Sequence, residues 1–344
     1  MTQVKSSKVT YKPATDRYDR VAKKWFRRCG KSGLMLPAIS LGLWHNFGDQ
    51  AKSENARRLC FTAFDRGITH FDLANNYGPP PGSAESRFGK IAKHLPREEL
   101  VISTKAGFTM WPGPYGDWGS RKYLLSSLDA SLKRLKLDYV DIFYHHRWDP
   151  KTPLDEIMGA LDQAVKSGKA LYAGVSNYNG NQVERAAKRM KINKAQPLLV
   201  NQVACNMLNS GIREDMFEKA KTNGIGVICY CPLAQGLLTD RYLSGEIPKN
   251  SRAADVTSFL KPSSITTALR AKLHKLNDHA RQRGQTLAEM ALAWILNDTR
   301  VTSCLIGASK TSQIEQNIKA LNNTKFTEDE HKILNNILAP APGS

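Results

Sequence analysis

Four side chains that can move or steer a proton stand at or just after the ends of short apolar segments of the sequence. Asp72 and Tyr77 belong to the second such segment and the residues after it, Lys105 ends the third and His146 ends the fourth. An isolated tyrosine has a pKa of about 10, and a nearby ammonium lowers it by favouring the phenolate. An aspartate can keep that ammonium charged, and a histidine can donate a hydrogen bond to an oxygen that gains negative charge. If they met in the folded chain, these residue types could together perform general acid catalysis.

Each of these residues also has a purely structural interpretation. An aspartate or lysine at the end of a strand is often an ordinary surface residue. Tyr77 precedes a Gly-Pro-Pro sequence and could pack on the prolines, and His145 is an alternative to His146. Whether the four side chains meet therefore depends on the elements that carry them.

Short apolar segments alternate with longer amphipathic ones along the chain. In the longer segments apolar residues recur every three or four positions, as in Leu154, Ile157, Leu161 and Val165, which predicts helices. The eight short segments, predicted as strands, are Ile39–Trp44, Thr69–Ala74, Leu100–Lys105, Tyr139–His146, Leu171–Asn177, Leu198–Asn206, Gly226–Leu233 and Ser303–Ser309.

Eight strands that alternate with helices predict an α/β fold, a (β/α)8 TIM barrel, because eight parallel strands close around a core of their own side chains. The alternative is an open, doubly wound sheet. That fold would place a G-x-G-x-x-G turn after the first strand, and the sequence from Gly42 to Gly48 does not supply one. In a barrel the carboxyl ends of the strands lie on one face, so we expect the four side chains to converge there.

The first 24 residues are predicted to form a basic arm without periodicity, and residues 25–344 a single barrel domain with extra helices. Within that domain, Phe26–Cys29 and Leu34–Pro37 flank a Gly-Lys-Ser-Gly turn, which predicts a short hairpin. Arg27-Arg28 could belong to a twin-arginine signal, but the turn favours the hairpin. No apolar run reaches the roughly 18 residues that span a bilayer, so we expect a cytoplasmic protein without a membrane partner.

The six cysteines are scattered, and none has the spacing of a metal site, so no metal is predicted. Cys229 and Cys231 lie two residues apart on a predicted strand, a poor geometry for a disulfide. We expect reduced thiols, most of them buried.

The formal net charge is +19, from 50 Lys and Arg against 31 Asp and Glu. Such a charge suits a nucleic acid or a small anionic ligand. The basic residues are spread along the chain, and no RNP-like motif, recognition helix or zinc finger accompanies them. A solvated basic surface without a nucleic-acid partner is the favoured interpretation, and its field would attract anionic cofactors and substrates.

The residues at the predicted strand ends resemble those of the aldo-keto reductase family. Within it they are most similar to the branch of potassium-channel β-subunits and bacterial glyceraldehyde-3-phosphate and methylglyoxal reductases. The motifs are, in chain order, Asp72 to Gly78, Ser103 to Lys105, Val140 to His146, Ser176-Asn177 and Tyr230 to Gly236. Each motif alone is weak, but five in order make a specific signal, and the resemblance runs from about Arg28 to the end of the chain.

The resemblance implies reduction of a small aldehyde to an alcohol, with the nicotinamide of NADPH as the source of hydride. It assigns Tyr77 as the general acid and Lys105 as the group that lowers its pKa. Asp72 would anchor Lys105, and His146 would orient the carbonyl oxygen. The family's spacing selects His146 over His145, which is then expected to face the other side of its strand.

The resemblance also implies a site for NADPH or NADP+. Ser176, Asn177 and Gln202 match the residues that hold the carboxamide, and Tyr230 matches the aromatic residue that stacks on the nicotinamide ring. The other matching positions are Gly42 and Trp44 beside the nicotinamide ribose, the loop from Leu233 to Leu237 with Arg241 over the pyrophosphate, Arg252 and Ser309 at the 2′-phosphate, and Gln313 and Asn317 at the adenine. Further cofactor-binding positions that the resemblance implies are Asp72, Pro232, Gln235, Gly236 and Gly307.

The expected substrate residues are Trp44, Tyr77, Trp111, His146 and Arg147. Trp111 belongs to the loop Gly107–Gly119, whose glycines and aromatic residues predict a cover over the barrel mouth, with a plain surface loop as the alternative. Arg147 and His45 are candidates to meet an anionic group of the substrate, and a salt-bridge role is the alternative.

Two positions depart from the family pattern. Cys231 stands where a serine is usual, and Gln316 stands where a glutamate is usual beside Asn317. The resemblance also implies a homo-tetramer or homo-octamer. An alternative function is an NADP(H)-binding partner subunit with little turnover, although the intact set of four residues favours an enzyme.

Overall fold

The computed structural model describes residues 11–18, 25–249, 251–255 and 258–339. The eight predicted strands form a closed barrel in which each strand pairs with the next along the chain. They are β3 (Ile39–Gly42), β4 (His70–Asp72), β5 (Val101–Ala106), β6 (Val140–His145), β7 (Ala170–Ser176), β8 (Leu198–Ala204), β9 (Gly226–Tyr230) and β10 (Val301–Ile306). Parallel pairing of β10 with β3 closes the barrel, which confirms the predicted fold and excludes the open sheet.

Helices cover the outside of the barrel, because parallel neighbours must be joined by crossover connections. They are α1 (Ser53–Asp65), α2 (Ser83–Ala92), α3 (Arg121–Leu135), α4 (Leu154–Lys166), α5 (Gly180–Ile192), α6 (Ile212–Thr222), α7 (Thr267–Gln282), α8 (Leu287–Asn297), α9 (Thr311–Ile318) and α10 (Glu328–Leu338). The stripe predicted for α4 faces the core, since Ile157 and Leu161 are fully buried.

Several strands are shorter than the predicted segments. The first barrel strand ends at Gly42 rather than Trp44, and the seventh ends at Tyr230 rather than Leu233. After β9 the backbone of Cys231 takes a φ of +52°, a left-handed conformation that ends the extended strand. The residues beyond these ends form loops at the carboxyl face of the barrel, which frees their side chains from the barrel wall.

The predicted hairpin forms from β1 (Phe26–Arg28) and β2 (Met35–Pro37), which pair in antiparallel register. Its turn lies against the loop before β9. A side chain at Gly30, where φ is +55°, would place its Cβ only 2.1 Å from the carbonyl oxygen of Gly224. Glycine is therefore required there by both conformation and space. The hairpin thus packs against the amino-terminal end of the barrel.

Part of the predicted arm packs on the barrel. The ring of Tyr11 stacks on Phe61 of α1 with centroids 3.7 Å apart, and its hydroxyl donates to Asp65 at 2.6 Å. The guanidinium of Arg17 donates to both carboxylate oxygens of Glu99. Residues 1–10 and 19–24 of the arm lie outside the described residues.

Among the described residues, no helix has both the length and the apolar character needed to cross a bilayer. That same part of the chain contains no group of three or more side chains placed to hold a metal ion. The six cysteines are free thiols, and all except the half-buried Cys231 are buried.

A buried carboxylate joins the second helix of the barrel to its neighbours. Glu85 on α2 is fully buried, accepts a hydrogen bond from Thr104 on β5 and forms an ion pair with Arg134 on α3 at 2.7 Å. A buried charge is tolerated because its partners replace the water it has lost.

We expect Arg134→Met to destabilise the fold by about 3 kcal/mol, because it leaves the Glu85 carboxylate buried with one strong partner fewer. The measurement is the free energy of unfolding in urea. Arg57→Met is the matched control, since it breaks the exposed Arg57–Glu54 pair and should change little. Equal losses in the two variants would contradict this account.

Candidate active site

A large cavity of about 1380 Å³ opens at the carboxyl ends of the barrel strands. Residues from every barrel strand end except that of β5 line it, together with the loops after β9 and β10. The amino end of α8 closes its far wall through residues 286–289. Such a volume exceeds the roughly 300–1,000 Å³ of most small-molecule pockets, so it can hold a ligand much longer than a small aldehyde.

Lys105 and Asp72 form an ion pair at the base of this cavity. The ammonium lies 2.5 Å from Asp72 Oδ2 and donates a second hydrogen bond to the carbonyl oxygen of Leu73 at 2.7 Å. Both side chains are completely buried. They meet because β4 and β5 are adjacent, with Asp72 in register with Ser103, and because alternate residues of β5 share a face.

Tyr77 reaches the same ammonium from the loop after β4. Its hydroxyl lies 3.4 Å from Lys105 Nζ. Two backbone hydrogen bonds shape the loop, from the amide of Asn75 to Lys105 O and from the amide of Tyr77 to Ala74 O. The structure therefore brings Asp72, Tyr77 and Lys105 together, as the resemblance implies.

The pKa of Tyr77 is raised in the folded chain, whereas the resemblance implies that Lys105 lowers it. Burial holds the pKa of Tyr77 well above its usual value, and the negative charge of Asp72 raises it further. The ammonium of Lys105 points mainly at Asp72, which weakens its influence on the phenol. Burial also lowers the pKa of Lys105, although Asp72 opposes that shift. Tyr77 therefore carries its proton at neutral pH, as a proton donor must.

His146 lies opposite Tyr77, with ring centroids 5.9 Å apart. It follows the last residue of β6 and lines the cavity, and burial keeps its pKa well below the usual value, so the ring is neutral. Its buried Nδ1 has no hydrogen-bond partner among the described residues. His145 points to the other side, as expected because consecutive strand residues face opposite sides. It shares a hydrogen bond of 2.8 Å with Tyr178.

The ends of β7, β8 and β9 form a network of amide and hydroxyl groups beside these residues. Tyr230 donates its phenol proton to Asn177 Oδ1 at 2.7 Å, and Asn177 donates to the carbonyl oxygen of His146 at 3.0 Å. Ser176 donates to the carbonyl oxygen of Gln202. An amide oxygen has two acceptor sites, so Asn177 Oδ1 can accept a second hydrogen bond from a ligand in the cavity.

The implied cofactor positions all line this one cavity. They are Gly42, Trp44, Asp72, Ser176, Asn177, Gln202, Tyr230, Pro232, Leu233, Gln235, Gly236, Arg241, Arg252, Gly307, Ser309, Gln313 and Asn317. The backbone of the loop after β9 is left-handed at Cys231, Ala234 and Gln235, and Cys231 and Gln235 line the cavity. Positions spread over 276 residues of sequence, from 42 to 317, thus share one surface.

Two expected substrate residues, Trp111 and Arg147, do not line the cavity, unlike Trp44, Tyr77 and His146. Trp111 packs edge-on against Tyr123 of α3, with centroids 5.3 Å apart. Arg147 follows His146 and forms an ion pair of 2.7 Å with Asp117, a residue of the Gly107–Gly119 loop. Arg147 thus has the salt-bridge role that the sequence left open.

The cavity also includes residues that the sequence patterns did not single out. Phe108 packs edge-on against His146 at 4.7 Å, and the 76% exposed ring of Phe259 lies 6.0 Å from that of Trp44. Arg281 and Thr286 line the far wall. None of them belongs to a strand-end motif, and helix or loop residues of this kind become recognisable only when the fold brings them to the barrel mouth.

A closed (β/α)8 barrel with an Asp, Tyr, Lys and His set at its carboxyl face defines a class of oxidoreductases. A sequence model of the Aldo/keto reductase family matches residues 38–339. The chain therefore belongs to the aldo-keto reductase family and is an oxidoreductase.

Three relatives illustrate its place in that family. The chain is 52% identical to the L-glyceraldehyde 3-phosphate reductase of Escherichia coli (strain K12) over 319 residues, which are 91% of this chain and 92% of the relative. It is 36% identical to a probable voltage-gated potassium channel subunit beta of Arabidopsis thaliana, over 86% of this chain and 90% of that protein. A putative channel subunit beta of Schizosaccharomyces pombe is 35% identical, with shares of 86% and 88%.

The buried histidines make stability depend on pH. Burial lowers the pKa of His70 and of His145 to about 4. An unfolded histidine takes up its proton near pH 6.5, whereas the folded chain accepts it only near pH 4. Their contribution to stability is therefore complete above about pH 6.5 and is lost as the pH falls from there towards 4.

We expect His145→Gln to reduce the loss of stability between pH 7 and pH 5 by about 2 kcal/mol, because one of these protonation sites is removed. The measurement is the free energy of unfolding in urea at the two pH values. His274→Gln, on the exposed face of α7, is the control and should retain the full loss. An unchanged loss in His145→Gln would rule out this histidine as a source of the pH dependence.

Proposed function

We propose that the protein reduces small aldehydes to alcohols with NADPH and that Tyr77 donates the proton. The observation that carries this proposal is the position of the Tyr77 hydroxyl. It lies 3.4 Å from an ammonium that is itself paired with a buried carboxylate, and it faces a neutral histidine across the cavity. This arrangement suits protonation of an oxygen that gains negative charge.

The cavity fits a dinucleotide. The half-buried ring of Tyr230 can stack on a flat heterocycle, and its hydroxyl is fixed by Asn177. Farther from Tyr77 the lining contains the guanidinium groups of Arg241, Arg252 and Arg281, which suit phosphate oxygens. The buried hydroxyl of Ser251 lines the same region and has no partner among the described residues. NADPH, when bound, supplies the hydride.

The protein's own side chains orient and protonate the carbonyl oxygen of the substrate. The neutral ring of His146 orients the carbonyl by a hydrogen bond, and Tyr77 gives its proton to the oxygen as the carbonyl carbon is reduced. The phenolate that results is stabilised by the ammonium of Lys105, since opposite charges attract strongly at a buried site. Asp72 keeps that ammonium charged against the desolvation that burial imposes.

The substrate class is a small polar aldehyde, such as glyceraldehyde 3-phosphate or methylglyoxal. A relative that shares half of its residues with this chain is named for glyceraldehyde 3-phosphate reduction. Aromatic rings of Trp44 and Phe108 line the mouth beside Tyr77. Arg147 is paired with Asp117 outside the cavity, so recognition of a phosphate by this arginine forms no part of the proposal.

The direct test is an initial-rate panel of aldehydes with NADPH, including both enantiomers of glyceraldehyde 3-phosphate, glyceraldehyde and methylglyoxal. Turnover of at least one small aldehyde, with loss of NADPH absorbance, is expected. NADPH binding without turnover of any of them would overturn the proposal and favour a regulatory partner subunit.

We expect Tyr77→Phe to lower the rate of aldehyde reduction by about 10²–10⁴, because phenylalanine has no proton to give. NADPH affinity and the melting temperature should remain close to those of the wild type. Tyr115→Phe, which removes an exposed hydroxyl outside the cavity, is the control and should leave the rate unchanged. Near-normal turnover by Tyr77→Phe would exclude it as the proton donor.

We expect Arg252→Ala to weaken binding of NADPH by about tenfold or more while leaving NADH binding nearly unchanged, because it removes a partner of the 2′-phosphate. Arg241→Ala is the matched comparison. It should weaken both cofactors similarly if it faces the pyrophosphate that they share. Fluorescence titration of the two cofactors measures the dissociation constants. Equal losses for both cofactors in Arg252→Ala would refute this assignment.

A further inference from the structure

A string of hydrogen bonds crosses the interior of the barrel and ends on the Asp72 carboxylate. The hydroxyls of Ser303 and Ser40 lie 2.7 Å apart, Ser40 lies 2.9 Å from His70 Nδ1, and His70 Nε2 lies 3.0 Å from the Ser103 hydroxyl. Ser103 donates to Asp72 Oδ1 at 2.6 Å. One residue from each of β10, β3, β4 and β5 thus leads to the carboxylate, and all of them are completely buried.

The charge of Asp72 fixes the direction of every bond in this string. An ionised carboxylate only accepts hydrogen bonds, so the hydroxyl proton of Ser103 must be donated to Asp72. Ser103 can then only accept from His70, which must carry its hydrogen on Nε2. His70 Nδ1 is left as an acceptor for the proton of Ser40, and Ser40 in turn accepts from Ser303. Each donor therefore points towards the carboxylate.

His70 is well suited to this place because it is neutral. Burial lowers the pKa of His70 to about 4, so at neutral pH one ring nitrogen donates while the other accepts. The N–H that His70 donates to Ser103 polarises the Ser103 hydroxyl and so strengthens the bond from Ser103 to Asp72, whereas the more distant Ser303 contributes little. A side chain that only donates or only accepts would break the sequence of bonds at this point.

Asp72 is held on its other sides as well. Its Oδ1 also accepts from Gln202 Nε2 at 3.0 Å, and its Oδ2 pairs with Lys105. Burial lowers the pKa of Lys105, and the carboxylate is the first cause that opposes this shift. The charge on Lys105 therefore depends on how firmly the carboxylate is held in place beside it.

We propose that Ser103 and His70 are positioning residues, which hold the Asp72 carboxylate oriented towards Lys105 and so set the pH range over which Tyr77 gives up its proton. Neither residue touches the cavity, since both lie behind its lining. They act on the reaction only through Asp72 and Lys105. This inference rests on the proposed reduction, in which Lys105 stabilises the phenolate.

Other titratable groups surround the same pair. They are Tyr77, Glu85, Tyr144, His146, Tyr230 and Cys231. The variants proposed below leave all six in place. If the carboxylate is held less firmly, it opposes the effect of burial on Lys105 less strongly. The pKa of Lys105 then falls, and the ammonium loses its proton at a lower pH. The alkaline limb of the rate profile should then move to lower pH.

The first experiment is independent of activity. In protein labelled with ¹⁵N-histidine, long-range ¹H–¹⁵N spectra at pH 7 and pH 5.5 identify which ring nitrogen of His70 carries hydrogen, with His70→Gln for assignment. We expect a neutral ring with hydrogen on Nε2 at both pH values. The Nε2 proton should move upfield in Ser103→Ala, where its acceptor is lost, and stay in place in Ser303→Ala. A hydrogen on Nδ1, a charged ring, or no change in Ser103→Ala overturns the proposal.

The second experiment measures the single-turnover rate of aldehyde reduction against pH. We expect Ser103→Ala and His70→Leu to shift the alkaline limb of the rate profile to lower pH by about one unit. At pH values above the shifted limb the rate should fall about tenfold, because one charge-assisted hydrogen bond to the carboxylate has been lost. The dissociation constant of NADPH should stay within about twofold of the wild type, since neither side chain lines the cavity.

Two further variants separate positioning from packing. His70→Gln retains a donor near the place of Nε2 and should restore most of the profile that His70→Leu loses. Ser303→Ala removes an equally buried hydroxyl at the far end of the string and should leave the profile unchanged. If Ser103→Ala lowers only the melting temperature, or if its profile matches that of Ser303→Ala, the positioning role is refuted. If the wild type reduces no aldehyde, the proposed function fails, and the histidine spectra alone decide whether the string exists.

Discussion

A lysine ammonium and an aspartate carboxylate lie in contact inside the barrel, out of reach of water, and the site is arranged around their pairing. Removing Lys105 or Asp72 from water costs several kcal/mol for each ion. The pair persists because each member has further partners, the carbonyl of Leu73 for the ammonium and the donors of Ser103 and Gln202 for the carboxylate. The interior of the barrel is therefore polar where it meets the site.

The geometry of the barrel makes this pairing possible. Adjacent parallel strands bring Asp72 into register with Ser103, and the alternation along β5 places Lys105 on the same face two residues later. The loop after β4 then only has to carry Tyr77 a short distance back to the ammonium. The two charged groups stand on strands, whereas Tyr77 and part of the cavity lining come from the loops that follow the strands.

In the loop between β5 and α3, only part of the residues face the cavity. Phe108 at its start lines the cavity, whereas Trp111 and Arg147 stabilise the loop itself, through contacts with Tyr123 and Asp117. The guanidinium of Arg147 also stacks between the rings of Phe108 and Trp118. A positive charge near the mouth is thereby neutralised within the protein. The lysine and arginine side chains that line the cavity come instead from the region after β9 and from α7.

The periodicity of the sequence determined the barrel, because alternating strands and helices are a signal of local spacing. The resemblance of its strand-end motifs to those of the family then indicated which residues would meet at one face of the barrel. What the sequence could not determine were the contacts made by side chains after the chain closed. Arg147 follows His146 directly, yet its ion pair with Asp117 turns it away from the cavity. Likewise Ser40, His70, Ser103 and Ser303 are ordinary strand residues until closure of β10 on β3 joins them into one string. The pKa of Tyr77 was equally out of reach, because burial, which raises it, is a property of the folded chain alone.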